Sequence, residues 1–523
     1  MSAADAPLAV RLAQAGVFPH PAGAIECVET HISWVILAGE FAYKFKKPVD
    51  LGFVDFSTLA KRRHACEEEV RLNARLAPSL YLDVVAVTDG PEGPRIRGSG
   101  PTAEYAVRMR RFDRTQELDR LLRDDALPAE RIDELARQVA RFHAEVARAT
   151  ADDAWGHPDV VLANARANFT HAQALEHDPA VAARLADLLA WTVAQHARIA
   201  PFLLARKRDG FVREGHGDLH LANMVVHEGR VTVFDCIEFN PALRWNDVMS
   251  EIAFTTMDLR HRGRPDFAQR FVNDYLEETG DYAGLAVLPW FFVYRAMVRA
   301  KIAAIRAAQA DAATAAREHR DFLAHLALAE AFAQPRQRAV VITCGASGSG
   351  KSHLAAALAA SGDWIRVRTD VERKRLAGLA RLASSQSGVQ DGLYAAERSA
   401  QTYAHLATLA RDVLAAGWPV ILDGTFLHRA QRQAMRALAD AAGVPFAILW
   451  PDSPADVMRE RIAQRATAGG DPSEATVDVL ARQLVAQEAL TEDEVACAVR
   501  VRAGDAMEGA ALARRVAEVL GQR

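Results

Sequence analysis

Residues Ala339-Val-Val-Ile-Thr343-Cys344-Gly345-Ala-Ser-Gly-Ser-Gly350-Lys351-Ser352-His353 decide how the second half of this chain folds. The apolar, β-branched run Val340–Thr343 predicts a strand, and the alanine-rich stretch after Lys351 predicts a helix. Between them the residues fit GxxxxGK[ST], a loop whose context is strand before and helix after. Gly345, Gly348 and Gly350 let backbone N–H groups turn inward around phosphates, and the helix start adds the positive end of its dipole. On this reading Lys351 reaches the β/γ-phosphates of a nucleotide, the Ser352 hydroxyl faces Mg2+, and His353 borders the same site.

Outward from the loop, strands predicted at Ile365–Val367, Val420–Leu422, Phe446–Trp450 and Val499–Val501 alternate with helices. That order predicts an α/β domain with a parallel sheet, and ligands at the carboxyl ends of its strands. Asp423 stands at one such end, placed to hold Mg2+ through water or to orient a reacting group; capping the next turn is the plainer role for it. Asp370 follows another strand and is placed to accept the proton of an attacking hydroxyl. The cations after it, Arg373, Lys374 and Arg375, suit an anionic substrate as well as they suit a solvated helix face. Arg459, Arg461 and Arg465 precede Ala468-Gly-Gly-Asp-Pro-Ser-Glu-Ala-Thr476, so a helix leading into a mobile segment is expected, with Arg461 and Arg465 closing over a transferred phosphoryl group. GASGSGKS, RTDVERKRLAG around Asp370, LDGTF at Asp423 and RERIAQR…GDPSEAT together resemble the small-molecule P-loop kinases of the gluconate- and shikimate-kinase type, in the AAA_33-like branch. The resemblance implies ATP-dependent transfer to a small acceptor.

The strongest break along the chain is Phe332–Arg338, where AQPRQR ends a helical pattern running from about Trp290 to Phe332. Before it, Ser33–Leu37 and Phe41–Phe45 flank Ala38-Gly39-Glu40 and predict a β-hairpin. A charged helix is predicted over Leu59–Leu76, a strand over Tyr105–Met109 and a β segment over Met224–Ile237. The expected plan is a small β-rich lobe (1–110), a helical lobe (111–332) and the α/β domain (338–523), with a cleft between the first two.

His216-Gly217-Asp218-Leu219-His220-Leu221-Ala222-Asn223 is followed twelve residues later by Asp235. Oxygen-bearing side chains at this spacing suit phosphoryl transfer, with Asp218 orienting and deprotonating an acceptor hydroxyl and Asn223 and Asp235 holding Mg2+. The His-Gly-Asp-x-x-x-x-Asn pattern resembles the aminoglycoside-phosphotransferase branch of the protein-kinase-like fold. That resemblance implies a strand lysine and a helix glutamate. Lys44 is the position for the first, with Lys46 on the same face in reserve. Glu69 is the position for the second, with Glu68 beside it. No full Gly-rich loop precedes the lysine, and Thr30 and Ser33 stand in its place. Asp247 is expected to anchor the catalytic loop, and Arg295 and Arg299 to lie on a solvated helix face. The whole chain resembles bacterial bifunctional aminoglycoside phosphotransferase/ATP-binding proteins.

Composition is consistent with this and narrows it. The chain has 523 residues, 63 Lys+Arg against 67 Asp+Glu, and 50% hydrophobic residues. That balance excludes disordered and collagen-like classes, and a net charge of −4 leaves no basic excess for a nucleic-acid backbone. Five dispersed cysteines form no metal spacing and read as reduced thiols. With no basic, apolar leader and no membrane-length apolar run, a cytoplasmic protein is expected. The leading expectation is a two-headed enzyme using ATP and Mg2+ on small-molecule acceptors. The alternative is a regulatory head, the first with its missing Gly-rich loop, controlling the other, and phosphorylation of a nucleotide sugar or an RNA end is a third. Oligomeric state is left open.

Overall fold

The computed structural model describes residues 7–50, 52, 54–383, 396–468, 472–502 and 509–521. Contacts divide the chain into two units: 1–131 with 141–167 and 196–258, and 132–140 with 168–195 and 259–523. This division cuts across the stretch 111–332 read above as the helical lobe.

In the first unit, β1 (Ile25–Glu29), β2 (Ser33–Ala38), β3 (Phe41–Lys46), β4 (Tyr81–Gly90), β5 (Gly93–Ile96) and β6 (Thr102–Arg110) form one antiparallel sheet, ordered β1-β2-β3-β6-β4-β5. Strand alternation sends Tyr43 and Phe45 into a core with Ile36, Val85 and Val87. The same alternation puts Lys44 and Lys46 on the opposite face. There lies helix α1 (Leu59–Asn73), started by Thr58, whose hydroxyl accepts the Lys61 N–H at 3.3 Å. The helix ends three residues before the predicted Leu76.

The predicted β segment Met224–Ile237 is a hairpin, and its last residues lie outside it. Strand β7 (Val212–Glu214) precedes β8 (Met224–His227), which pairs antiparallel with β9 (Arg230–Val233); β10 (Trp245–Asp247) pairs back onto β7. The His216–Asn223 loop runs between β7 and β8, and Asp235 follows β9. Helix α2 (Val248–His261) comes next.

The second unit holds helix α3 (Pro265–Thr279) and a helical hairpin. The single helix predicted over Trp290–Phe332 is two, α4 (Leu288–Gln309) and α5 (Ala312–Ala333). The break falls at Asp311, whose carboxylate accepts the Ala313 and Thr314 N–H groups at 3.0 Å each and restarts the helix. Arg295, expected on a solvated face, is buried in α4.

Strands β11 (Val340–Thr343), β12 (Ile365–Arg368), β13 (Val420–Asp423), β14 (Phe446–Asp452) and β15 (Ala498–Arg502) form a fully parallel sheet ordered β12-β13-β11-β14-β15. Val341, Ile421, Ala447, Leu449 and Val499 build its core with Leu354, Leu358 and Leu512. β12 is an edge strand, yet its outer side is not bare. Gln269 and Asn273 of α3 donate to the Trp364 carbonyl at 2.7 and 3.0 Å, and Asn273 Oδ1 accepts the Arg366 N–H at 2.8 Å. A helix thus completes the hydrogen bonding of the sheet edge. Among the described residues no helix is long and apolar enough to cross a membrane.

Candidate active sites

In the first unit the paired lysines of β3 meet Glu69 of α1. Lys44 Nζ lies 2.7 Å from Glu69 Oε1 and 2.6 Å from Asp235 Oδ1. Lys46 Nζ lies 2.5 Å from Glu69 Oε2 and also pairs with Glu238. Glu69 is fully buried, whereas Glu68 turns away to Arg71 and Arg244. Burial works against the Lys44 cation, but Asp235 and Glu69 outweigh it and raise its pKa well above the usual value. Burial likewise pushes the Asp235 carboxyl up, and Lys44 pulls it further the other way, so it stays below the ordinary range.

Asp235 has a left-handed backbone, φ 63°, uncommon for a residue other than glycine. Tyr81 Oη accepts its N–H at 3.2 Å, and Asn73 of α1 accepts the N–H of Cys236 at 2.9 Å. Those two contacts hold the strained turn. Its carboxylate spends one oxygen on Lys44 and remains 44% exposed.

Around Asp218 the loop is fixed from within and from behind. Asn223 Nδ2 donates to the Asp218 carbonyl and carboxylate at 3.0 and 3.1 Å. His216 Nδ1 accepts the Asp218 N–H at 3.2 Å while Nε2 donates to Phe234 O at 2.8 Å, which fixes a neutral ring. Burial holds that imidazole's pKa below the usual value. Behind the loop, Glu251 of α2 accepts the His216 and Gly217 N–H groups at 2.6 Å each and His143 Nε2 at 2.9 Å. A Cβ at position 215 would sit 2.6 Å from that carboxylate, so Gly215 is required there. Asp258 accepts the Leu221 N–H at 2.9 Å. Asp247, expected to anchor this loop, instead forms a buried pair with Arg206 at 2.7 Å. Glu251 and Asp258 are the anchors, and nothing in their helical surroundings distinguishes them in the sequence.

Thr30 and Ser33 lie in the turn joining β1 and β2. The Thr30 hydroxyl accepts the Ser33 N–H at 3.0 Å and is used by the turn itself. Ser33 Oγ is buried without a hydrogen-bond partner among the described residues.

In the second unit the Gly345–Ser352 loop follows β11 and opens helix α6 (Lys351–Ala360). Gly348 has φ 79°, and a Cβ there would lie 2.5 Å from the Met458 carbonyl. Lys351 Nζ donates to the Ala346 carbonyl at 2.8 Å, and burial lowers its pKa. Ser352 Oγ donates to Asp423 Oδ1 at 3.2 Å. His353 is exposed. Ser349 Oγ is buried inside the loop with no partner among the described residues.

Asp423 carries more countercharge than the sequence suggests. Arg366 of β12 lies 2.5 Å from its Oδ2, with Arg368 at 3.9 Å. Burial pushes this carboxyl up, and the two arginines pull it below the usual range. Glu277 of α3, itself buried, takes Arg368 at 3.7 Å and Arg381 at 3.3 Å. Asp370 is the second residue of helix α7 (Thr369–Leu376) and pairs with Arg373 at 3.0 Å. Lys374 pairs with Glu474 at 3.1 Å, and Arg375 with Glu372.

Arg459, Arg461 and Arg465 lie on α9 (Ala455–Ala468), separated from α7 by α8 (Ala396–Ala415) and the helix Arg429–Ala441. Arg461 reaches the Gly348 and Ser349 carbonyls at 3.3 Å each. Arg465 donates to the Ala475 carbonyl at 3.0 Å, and Arg459 is exposed. Residues 469–471 of the expected mobile segment lie outside the described residues. Gln483 accepts the Ser347 N–H at 2.7 Å, a contact no motif announces.

Comparison with known proteins accords with both halves. A family model described as a phosphotransferase enzyme family (APH) matches residues 53–288, and one described as an AAA domain (AAA_33) matches 340–490. The uncharacterized protein Rv2004c of Mycobacterium tuberculosis is 32% identical over 461 residues, 87% of this chain and 89% of that protein. Among solved structures, a Cryptosporidium parvum choline kinase is similar at 10% identity and TM-score 0.38, over 59% of this chain and 89% of that one. A Sinorhizobium meliloti gluconokinase is similar at 21% identity and TM-score 0.25, over 36% of this chain and 94% of that one. The chain belongs to the two-domain family in which an APH phosphotransferase domain is joined to an AAA_33 P-loop domain, and it is a kinase-type enzyme.

Proposed function

We propose that each domain transfers the γ-phosphoryl group of ATP to a hydroxyl of a small molecule, such as a sugar, an aminocyclitol or a related metabolite. The observation that carries this reading is the joining of Lys44, Glu69 and Asp235 by ion pairs beside the anchored Asp218 loop. The functional boundaries proposed are 1–110 and 111–332 for the two lobes of the first head, and 338–523 for the second.

In the first head Lys44 binds the α/β-phosphates and Glu69 keeps it aimed. Asp218, one-third exposed, takes the proton of the acceptor hydroxyl as its oxygen bonds to phosphorus and the bond to the β-phosphate oxygen breaks. The donor set fits Mg2+: the Asp235 side chain has accessible surface left after Lys44, and Asn223, whose Nδ2 is turned to Asp218, has an amide oxygen to offer. Thr30 and Ser33 border the nucleotide through the backbone of their turn.

In the second head Gly345, Gly348 and Gly350 cradle phosphates, Lys351 moves from the Ala346 carbonyl to the β/γ-phosphates, and Asp370 is the acceptor base. His353 borders the nucleotide, and Arg461 and Arg465 act on the phosphoryl group. The partnerless Ser349 hydroxyl and the Ser352–Asp423 pair suit phosphate and Mg2+ respectively. When bound, Mg2+ neutralises the charge that develops on the phosphates.

The test is ADP release across a metabolite and aminoglycoside panel for wild type, Asp218→Ala and Lys351→Ala. Two acceptor-dependent activities, each lost in a different variant, are expected. A second reading makes one head a nucleotide-binding regulator of the other, and the arginine pairing of Asp423 favours it for the second head. Under that reading no acceptor depends on Lys351, and Lys351→Ala alters only the rate supported by Asp218.

A further inference from the structure

Away from both phosphate sites, the end of α2 meets α5 within the second unit through His261, Asp321 and His325. His261 Nε2 lies 2.9 Å from Asp321 Oδ1. His325, one helical turn after Asp321, places Nδ1 2.9 Å from the Asp321 carbonyl and 3.6 Å from its carboxylate. The two imidazoles stack with centroids 3.7 Å apart and planes 18° from parallel. One nitrogen of each ring and one Asp321 oxygen all lie within 4.8 Å of one another.

We propose that His261, Asp321 and His325 form a binding site for a borderline divalent cation of the Zn2+ class. Two imidazoles and a carboxylate are the ligand types such a cation takes, whereas Mg2+ and Ca2+ favour all-oxygen sets. Tetrahedral Zn2+ with bonds of ~2.0–2.1 Å sets its ligand atoms ~3.3 Å apart, so the three side chains draw together from their present spacing, within 4.8 Å, as the ion binds. The hydrogen bond from His325 Nδ1 to a backbone carbonyl is the kind of contact that orients a metal-binding imidazole. With Nδ1 as the donor, the ring's Nε2 carries the lone pair that would bind the ion.

The surroundings favour a ligand over a charged histidine. His325 is 1% exposed, so a charged imidazole there is costly while a neutral one can ligate. Asp321 and His261 are partly exposed, which gives the ion an entry path. Arg299 of α4 faces both His325 and Asp321, and its charge opposes a cation there. The site is therefore weaker than a structural zinc centre of thiolates. His319, two residues before Asp321, turns to Glu176 instead, at 3.7 Å.

The test uses the full chain with excess Mg2+ present to occupy oxygen sites. Zn2+ binding is measured by titration calorimetry, and Co2+ replaces it as a visible-absorption probe of tetrahedral nitrogen and oxygen ligation. Wild type is expected to bind one ion with a thermal upshift that a chelator reverses. His261→Ala and His325→Ala are expected to weaken binding by ~10-fold or more, while His319→Ala leaves it unchanged. If His325→Ala fails to fold, His261→Ala and Asp321→Asn, at part-exposed positions, make the same comparison. Absence of Zn2+ binding by wild type, or equal binding by wild type and the His261 and Asp321 variants, overturns the proposal.

Discussion

Glu69 holds two lysines at once, with Oε1 on Lys44 and Oε2 on Lys46, so a single buried carboxylate joins a partly exposed cation to a fully buried one. The two cations differ in depth and therefore in consequence. Lys46 has no exposed surface on its side chain and neutralises both Glu69 and Glu238. Lys46→Met leaves Glu238 buried without its cation and Glu69 with Lys44 alone, and a loss of about 3–5 kcal/mol is expected in denaturant unfolding. Lys44→Met retains that pair and is expected to unfold at a denaturant midpoint nearer wild type, with nucleotide binding by the first head as the property lost.

Glu251 links stability to acid. Burial alone would raise its pKa; the His143 hydrogen bond and the loop N–H groups overcome this and lower it from 4.5 to about 2. A carboxyl depressed on folding contributes stability above its unfolded pKa and loses it as pH falls through the folded value. The contribution, about 3 kcal/mol from the size of the shift, is present above pH 4.5 and disappears toward pH 2. Unfolding of wild type and Glu251→Gln measured at pH 7, 4 and 2.5 is expected to show a gap that narrows across that window.

Lys351→Ala and Asp218→Ala are expected to separate the two heads. Lys351→Ala should weaken nucleotide binding to the second head by ~10²-fold, since it removes a phosphate ligand from a preformed loop. Asp218→Ala should lower turnover in the first head by ~10²–10⁴-fold with nucleotide affinity nearly unchanged, as expected for loss of a general base. Binding of a fluorescent ATP analogue, read beside ADP release, distinguishes the two effects.

Asn273→Ala is expected to cost about 1–3 kcal/mol, because the Arg366 N–H on the sheet edge loses its acceptor. The readout is the thermal midpoint together with hydrogen exchange at Ile365–Arg368, which should accelerate. Protection equal to wild type along β12 would count against the helix as the partner of that edge.

The Gly345–Ser352 loop, the His216–Asn223 motif and the parallel sheet were legible because their signals are local. Glycine, lysine and serine must be adjacent in sequence to surround a phosphate, and alternating apolar runs announce a parallel sheet. What escaped is held by contacts distant in sequence. Glu251 and Asp258 anchor the catalytic loop from the interior of a helix whose residue pattern is ordinary. Arg366 reads as one polar residue in a strand, yet it neutralises Asp423. The choice between Glu68 and Glu69 depended on which side of α1 meets β3, a geometric fact that three adjacent glutamates conceal. The single long helix was overcalled because alanine on both sides of Asp311 hides a cap inside a helical composition.

The completion of β12 by Gln269 and Asn273 bears on how the APH and P-loop domains can be taken apart or exchanged. The obvious place to cut is the Pro335 linker, but a cut there deprives the sheet of side chains encoded some sixty positions earlier. Any transplant of the phosphate-loop domain onto a new neighbour must bring α3 with it or supply equivalent amides. The inheritable module is thus longer than the P-loop family match, and its true start lies before the Pro335 linker.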